Sequence, residues 1–240
     1  MDDGFSGNFV SIIGFQSHSK VTTVLIQDQI IKGRQHRFKY RAKNSVGWGP
    51  FSEESAILAA RVPDTPDRPV FEGFADGKLQ LYIPESEDNG GTAIIGYELY
   101  VDAGDDFTSE FTKLEGYTGE STVYEATEAD GLELGKTYRF ESRAENLMGF
   151  SELSTASYIA FGAVPNVPDP PSRTASSPTS ISVEWSAPAT GDLDVSGYIL
   201  NMDDGFKTDL LPIYIGYNRP DVLSFTIGGL TTGLPYRFSV

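Results

Sequence analysis

LELGKTYRFESRAENLMG, residues 132–149, is the stretch that decides the fold. Tyr138, Phe140, Ser142 and Ala144 alternate with Arg139, Glu141, Arg143 and Glu145, the two-residue period of a strand with one covered face. The same pattern stands twice more, as IIKGRQHRFKYRAKNSVG at 30–47 and LTTGLPYRFSV at 230–240. The three copies align through Gly33, Gly135 and Gly233. Each has an apolar residue three places earlier (Ile30, Leu132, Leu230) and Arg-Phe four and five places later. His36 stands where the other copies have Tyr138 and Tyr236.

Working outward, two further anchors repeat with the same period. Val62-Pro63, Pro66-Asp67 and Pro69 return as Val164-Pro165, Pro168-Asp169 and Pro171, 102 residues on. Gly96-Tyr97 returns as Gly197-Tyr198, 101 residues on, and Met1-Asp2-Asp3-Gly4-Phe5 as Met202-Asp203-Asp204-Gly205-Phe206. Proline has no amide hydrogen to donate, so the V-P-x-x-P-D-x-P runs mark joints between repeats and not sheet interiors. Equal, proline-stiffened joints predict an elongated array with similar geometry from one repeat to the next. Within the repeats, SISVEWSAP (180–188) alternates Ile181, Val183 and Trp185 against Ser182, Glu184 and Ser186, and DNGG at 88–91 is turn chemistry. No long stretch carries helical spacing. Short strands, frequent turns and repeats of about 100 residues predict tandem antiparallel β-sandwiches, an all-β chain.

Composition excludes several classes. The 240 residues contain no cysteine, which removes disulfides, thiolate metal sites and thiol nucleophiles. No apolar run reaches the ~18 residues of a membrane helix, no signal-peptide pattern opens the chain, and no N-x-S/T acceptor occurs. His18 and His36 are the only histidines, so a His-rich metal site is out of reach. No G-x-S-x-G elbow, Walker loop, G-x-G-x-x-G or H-E-x-x-H is present. The acidic groups Glu85/Glu87/Asp88 and Asp105/Asp106 have the oxygen chemistry of a Ca²⁺ site, but their place in turns accounts for them as hairpin and solubility residues. Arg-Gly-Asp is absent, and Leu193-Asp194-Val195 reads as the start of a strand. These residues predict no catalytic centre, no cofactor and no metal site.

The combined motifs resemble the fibronectin type III repeat family over essentially the whole chain. Apolar-x-x-Gly-x-x-Tyr-x-Phe is similar to the tyrosine corner of that sandwich, whose phenol hydroxyl hydrogen-bonds to the preceding loop. Trp185 followed by Pro188, Gly197-Tyr198, the loop PESEDNGGTAIIGYELY and the tail Ala144-Glu145-Asn146-x-x-Gly149-x-Ser151 carry the rest of the likeness. The resemblance implies structural roles for Trp185, Tyr138, Tyr236, Tyr97 and Tyr198, with Trp185 buried. Two departures stand out. Leu81 occupies the position of the usual buried tryptophan in the middle repeat, and His36 replaces the first corner tyrosine, with a ring nitrogen in reach of the same loop. In the family's strand order Met1 aligns near the end of strand C and Val240 lies in strand F. The expected domains are therefore a partial repeat at 1–63, a complete one at 64–163 and a partial one at 164–240.

Charge is unevenly spread. Residues 1–63 carry eight Lys and Arg against five Asp and Glu; residues 64–163 carry six against 21, a net −15. So acidic a middle argues against a nucleic-acid backbone as partner. In the first repeat Arg37, Lys39, Arg41 and Lys43 fall on one face of the strand, with Phe38, Tyr40 and Ala42 on the other. They read as a solvated face or as a surface for an acidic neighbour. The family resemblance implies other protein domains and neighbouring copies as partners, in an extracellular or cell-surface adhesive array. An intracellular, filament-associated scaffold is the alternative, favoured by the missing cysteines and glycosylation acceptors. The +3 first repeat and the −15 middle also predict end-to-end association of copies.

Overall fold

The computed structural model describes residues 1–14, 20–105, 107–189 and 192–240. Nearly all regular structure is antiparallel strand, with one turn of 3₁₀-helix at Glu128–Asp130. The first repeat holds β1 (Gln35–Phe38) and β2 (Ser55–Leu58), paired to each other. The middle repeat holds β3 (Val70–Ala75), β4 (Lys78–Tyr82), β5 (Ile94–Val101), β6 (Thr112–Lys113), β7 (Val123–Ala126), β8 (Thr137–Asn146), β9 (Gly149–Phe150) and β10 (Ser157–Ala160). Its sheets have the orders β3-β4-β7 and β10-β8-β5-β6, with β9 also on β8. That is a Greek-key arrangement, in which the consecutive pairs β3-β4, β5-β6 and β8-β9 are joined by the crossover pairs β4-β7 and β5-β8. The third repeat holds β11 (Ser172–Ser177), β12 (Ser180–Glu184), β13 (Ile199–Met202), β14 (Leu211–Ile215), β15 (Ser224–Gly228) and β16 (Phe238–Ser239), in sheets β11-β12-β15 and β14-β13-β16.

The alternation read from the sequence reappears as burial. Along β8 the inward residues Tyr138, Phe140, Ser142, Ala144 and Asn146 are buried and the residues between them are not. Leu81, in the place of the family's tryptophan, is fully buried in β4. In the third repeat both sheets contribute to one core of Val183, Trp185, Tyr198, Leu200 and Ile227. Trp185 meets Tyr198 edge-on with centroids 5.9 Å apart and Tyr214 at 6.4 Å.

Contacts gather the chain into two compact units. One comprises Met1–Phe71, Leu81–Tyr124 and Tyr138–Tyr158, the other Glu72–Gln80, Glu125–Thr137 and Ile159–Val240. Each contains one joint. In the first, the glycine of the corner loop, Gly33, lies so close to Gly91 that a Cβ on it would stand 2.6 Å from the Gly91 carbonyl oxygen. In the second, Gly135 stands in the same relation to the Asp192 carbonyl, also at 2.6 Å. Gly33 and Gly135 are 102 residues apart, Gly91 and Asp192 101, so this contact repeats with the sequence. The surrounding contacts do not. Pro63, Pro66 and Pro69 are buried, whereas Pro165 is exposed and Pro168 and Pro171 are half-buried. Arg61 bonds Asp64 (2.6 Å) and Asp88 (3.2 Å), Lys32 also bonds Asp88, and Asn146 Nδ2 donates to the Arg61 and Asn89 carbonyls. Ala163 and Asn166 stand where Arg61 and Asp64 do, so the second joint lacks those charges. It keeps the bond from the Ala163 amide to Asp192 Oδ2 (3.0 Å). The expectation of two similar joints is corrected: the backbone contact is shared, the polar lock is not.

Candidate interaction surface

Each repeat holds the arginine of its Arg-Phe pair with the same carboxylate. Asp102 lies just after β5, and its buried carboxylate accepts from the Arg139 amide (2.9 Å), Arg139 Nε (2.7 Å) and the Gly104 amide (3.2 Å). Asp2 does the same with Arg37 (2.9 and 2.8 Å) and Gly4 (3.2 Å). Asp203 repeats it with Arg237 (2.8 and 2.7 Å) and Gly205 (3.3 Å). A second arginine nitrogen then donates to a carbonyl across the turn, Gly7 (3.2 Å), Ser109 (2.6 Å) or Thr208 (2.5 Å). The corner ring rests on the glycine of this turn. A Cβ on Gly104, which has φ +65, would stand 2.7 Å from the Tyr138 ring.

The corner bond is seen in the first and third repeats. The Thr231 amide donates to the Tyr236 hydroxyl (2.9 Å), and the Ile31 amide donates to His36 Nε2 (3.1 Å), the same loop bond made by a ring nitrogen. With Nε2 accepting, the ring hydrogen sits on Nδ1, 3.3 Å from the Asp2 carbonyl oxygen. Trp185, Tyr138 and Tyr198 are buried, Tyr97 is half-buried, and Tyr236 is partly covered.

The clamps make stability depend on acid. Arg37, through its side chain and then its amide, holds the Asp2 carboxyl at about 2, below its usual 3.8. The Arg237 amide and side chain likewise lower Asp203. Glu98 is pushed up by partial burial, but bonds from Lys113, Tyr100 and Arg143 together pull it to about 2. A carboxyl lowered on folding adds stability above its unfolded value, and that stability is lost as pH falls through the folded value. The denaturation midpoint should therefore hold above about pH 4 and drop between about pH 4 and 2. Asp2→Asn should flatten that dependence. A wild-type midpoint unchanged from pH 5 to 2 would contradict the clamps.

Outside these nodes, the cations of the first repeat form a ladder with aromatic rings. Arg37 stands 5.1 Å and Lys39 3.9 Å from the Phe9 centroid, Arg41 4.5 Å from Phe51 and 4.7 Å from Trp48, and Lys43 5.4 Å from Trp48. Each such contact is worth about 0.5–1 kcal/mol when exposed. Glu54 reaches Arg37 (3.1 Å) and Lys39 (3.5 Å), but among the described residues no carboxylate pairs with Arg41 or Lys43. The structure sets all four cations beside these rings. Regular strand ends at Phe38, and Tyr40 is 78% exposed, because nothing among the described residues covers it.

The middle repeat carries the same scaffold with its charge cancelled. Arg139 stacks on Phe111 (4.7 Å) and Arg143 on Phe150 (4.2 Å). Glu141 and Glu145 stand where the first repeat has Lys39 and Lys43, and Glu98 Oε2 accepts from Arg143 Nε at 2.7 Å. Sequence reading missed Phe9, Trp48, Phe51 and the clamp aspartates. The signal for the last was in view: the returning Met-Asp-Asp-Gly is a strand end plus clamp and turn glycine.

The other sequence candidates do not gather into a site. Among the described residues no group of three His, Asp or Glu is placed to hold a metal. Asp88 is taken by Lys32 and Arg61, while Asp106 and His18 lie outside the described residues. No helix of the described residues is long and apolar enough to cross a membrane.

Greek-key sandwiches repeated at one period, with the corner bond made by histidine in the first repeat and tyrosine in the third, define the class: the chain is a tandem array of fibronectin type III-like domains. Several of its curated relatives carry that name. It is 28% identical over 245 aligned residues to fibronectin type-III domain-containing protein 3A of Homo sapiens, a match covering 98% of this chain and 19% of that protein. It is 30% identical over 187 residues to fibronectin type III domain containing protein 3C1 of Mus musculus (74% and 12%). To myomesin-2 of Homo sapiens it is 26% identical over 220 residues (87% and 14%). The chain thus spans about a fifth or less of the length of these relatives. Among solved structures it is similar to the chicken CNTN1 FN1–FN3 domains, at 16% identity and a TM-score of 0.42, over 88% of this chain and 72% of that one. No family model matches the chain.

Proposed function

We propose that the chain is a non-enzymatic structural and adhesive module whose first repeat offers its cation–aromatic face to acidic protein surfaces. The acidic middle repeat of neighbouring copies is one such surface. The observation that carries this reading is the pair Arg41 and Lys43, held in place by Trp48 and Phe51 with no carboxylate partner among the described residues. Rings fix the cations at low entropic cost and leave their charge for a partner.

Sedimentation of the purified chain tests it. Self-association is expected at low salt and high concentration. It should fade as the screening length shortens to about 10 Å near 0.1 M salt, and be lost in Arg41→Glu/Lys43→Glu. A monomer at low salt for the wild type would overturn the copy-to-copy contact.

We read the array as extracellular or cell-surface, the usual setting of such sandwiches. The missing cysteines and glycosylation acceptors favour a second reading, an intracellular filament-associated scaffold. Surface biotinylation of intact cells separates them: a labelled chain supports the first, a protected one the second.

A further inference from the structure

The middle repeat holds a cavity of about 640 Å³ whose walls include none of the cations of the first repeat's ladder. It is lined by the loop 85–89 between β4 and β5, by the start of β5 at 94–97, and by Gly119, Glu120 and Thr122 before β7. Backbone bonds fix these walls. The Tyr97 amide donates to the Gly119 carbonyl (3.1 Å), the Ile83 amide to Thr122 (2.7 Å) and the Asp64 amide to Asp88 (2.8 Å). Gly119, at φ +82, comes so near that a Cβ on it would stand 2.3 Å from the Tyr97 carbonyl oxygen. Walls held in this way are in place before any ligand arrives.

Three carboxylates of the lining have no cation. Among the described residues Glu85, Glu87 and Glu120 make no ion pair, whereas Asp88 is held by Lys32 and Arg61. The loop does not need these acids to turn: the corresponding run of the third repeat, SAPA at 186–189, has none. Ser86, between two of them, lines the cavity and has a buried Oγ with no hydrogen-bond partner among the described residues. A buried hydroxyl left unpaired costs free energy that a ligand's donor would recover. A neighbouring repeat does not cover such a loop. In the second unit the turn Asp76-Gly77 between β3 and β4 keeps clear of the third repeat, since a Cβ on Gly77 would meet nothing within 4 Å.

We propose that this cavity takes the arginine side chain of an extended segment of a partner protein, its guanidinium among Glu85, Glu87 and Glu120 and a neighbouring apolar residue on Ile95. Charge complementarity selects the class. Lys32 is the one cation of the lining, and its ammonium is already on Asp88, which shows the loop receiving a basic side chain from another segment. Spacing selects the arginine. No three acids among the described residues stand close enough to share a metal ion, so a point charge does not reach all three carboxylates. A guanidinium presents five N–H donors in a planar fork and serves acids set further apart. The cavity falls in the roughly 300–1,000 Å³ range of ligand sites, with room for more than one side chain. Ile95, 62% exposed at its side, offers the apolar contact. The site lies on the acidic repeat and goes beyond the adhesive reading, which concerns Arg41 and Lys43.

Fluorescence anisotropy on the full chain tests it with three fluorescein-labelled peptides. The first is Ser-Gly-Ile-Arg-Ile-Gly-Ser; the others carry lysine or citrulline, the uncharged counterpart of arginine, at the centre. The arginine peptide should bind about tenfold more tightly than the citrulline peptide, the equivalent of one charge-assisted hydrogen bond, and more tightly than the lysine peptide. Glu85→Gln/Glu120→Gln should weaken it about tenfold by the same reasoning. Glu110→Gln/Glu115→Gln removes as much charge outside the cavity and should leave binding unchanged. All four side chains are exposed, so neither pair of substitutions disturbs a core. Hydrogen exchange should show new protection in the loop 85–89 with the arginine peptide. If both double variants weaken binding alike, the peptide follows the net charge of −16 and the site is overturned. Equal binding of the arginine and citrulline peptides, or none, overturns it too, and equal binding of arginine and lysine overturns the choice of guanidinium. None of these outcomes touches the self-association expected of Arg41 and Lys43, so the two readings fail separately.

Discussion

Asp102→Ala is expected to destabilise the middle sandwich by about 3–5 kcal/mol, the range for removing one partner of a buried ion pair. The Asp102 side chain is fully buried, and that of Arg139 is 16% exposed. Alanine would strip the acceptor from Arg139 Nε and from two backbone amides at once. Unsatisfied buried donors cost more than the net value of the bonds they lose, which is why the expected effect is large. Asp102→Asn keeps one oxygen for the amides and should cost less. Denaturant unfolding of the three proteins measures the order. A midpoint for Asp102→Ala equal to wild type would mean that the clamp is dispensable.

Trp185→Ala in the third sandwich should cost a similar amount, about 3–5 kcal/mol, the usual loss for a large core aromatic. Trp185 is 5% exposed and joins both sheets through Tyr198 and Tyr214. Its Nε1 has no acceptor among the described residues, so Trp185→Phe gives up packing volume but no hydrogen bond and should be much milder. Equal losses for the two variants would show that the indole nitrogen has a partner or that the pocket tolerates no other ring.

Much of the architecture was legible in the residues. The alternation of Tyr138, Phe140, Ser142 and Ala144 became the burial pattern of β8, and the loop before His36 and before Tyr236 bonds to the ring that follows it. His36 in place of tyrosine kept the loop bond, as its ring nitrogens allow. The readings that failed concerned what surrounds a segment. Two joints of the same proline pattern differ because Arg61 finds Asp64 and Asp88, whereas Ala163 and Asn166 carry no charge to place. Alternation puts Tyr40 on the face opposite the cations, but it is exposed, because alternation does not supply the second layer that would cover it.

By itself the sequence determined the period, the strand alternation, the corner positions and the row of cations on one face. These are local properties, set by a backbone that turns its side chains over every second residue. Only the tertiary structure decided that Asp2, Asp102 and Asp203 meet arginines 34 to 37 residues away, and that Phe9, Trp48 and Phe51 slot between the cations. A carboxylate or an aromatic ring has no directional signature in sequence. Its partner is chosen when folding brings distant strands to within hydrogen-bond or van der Waals reach.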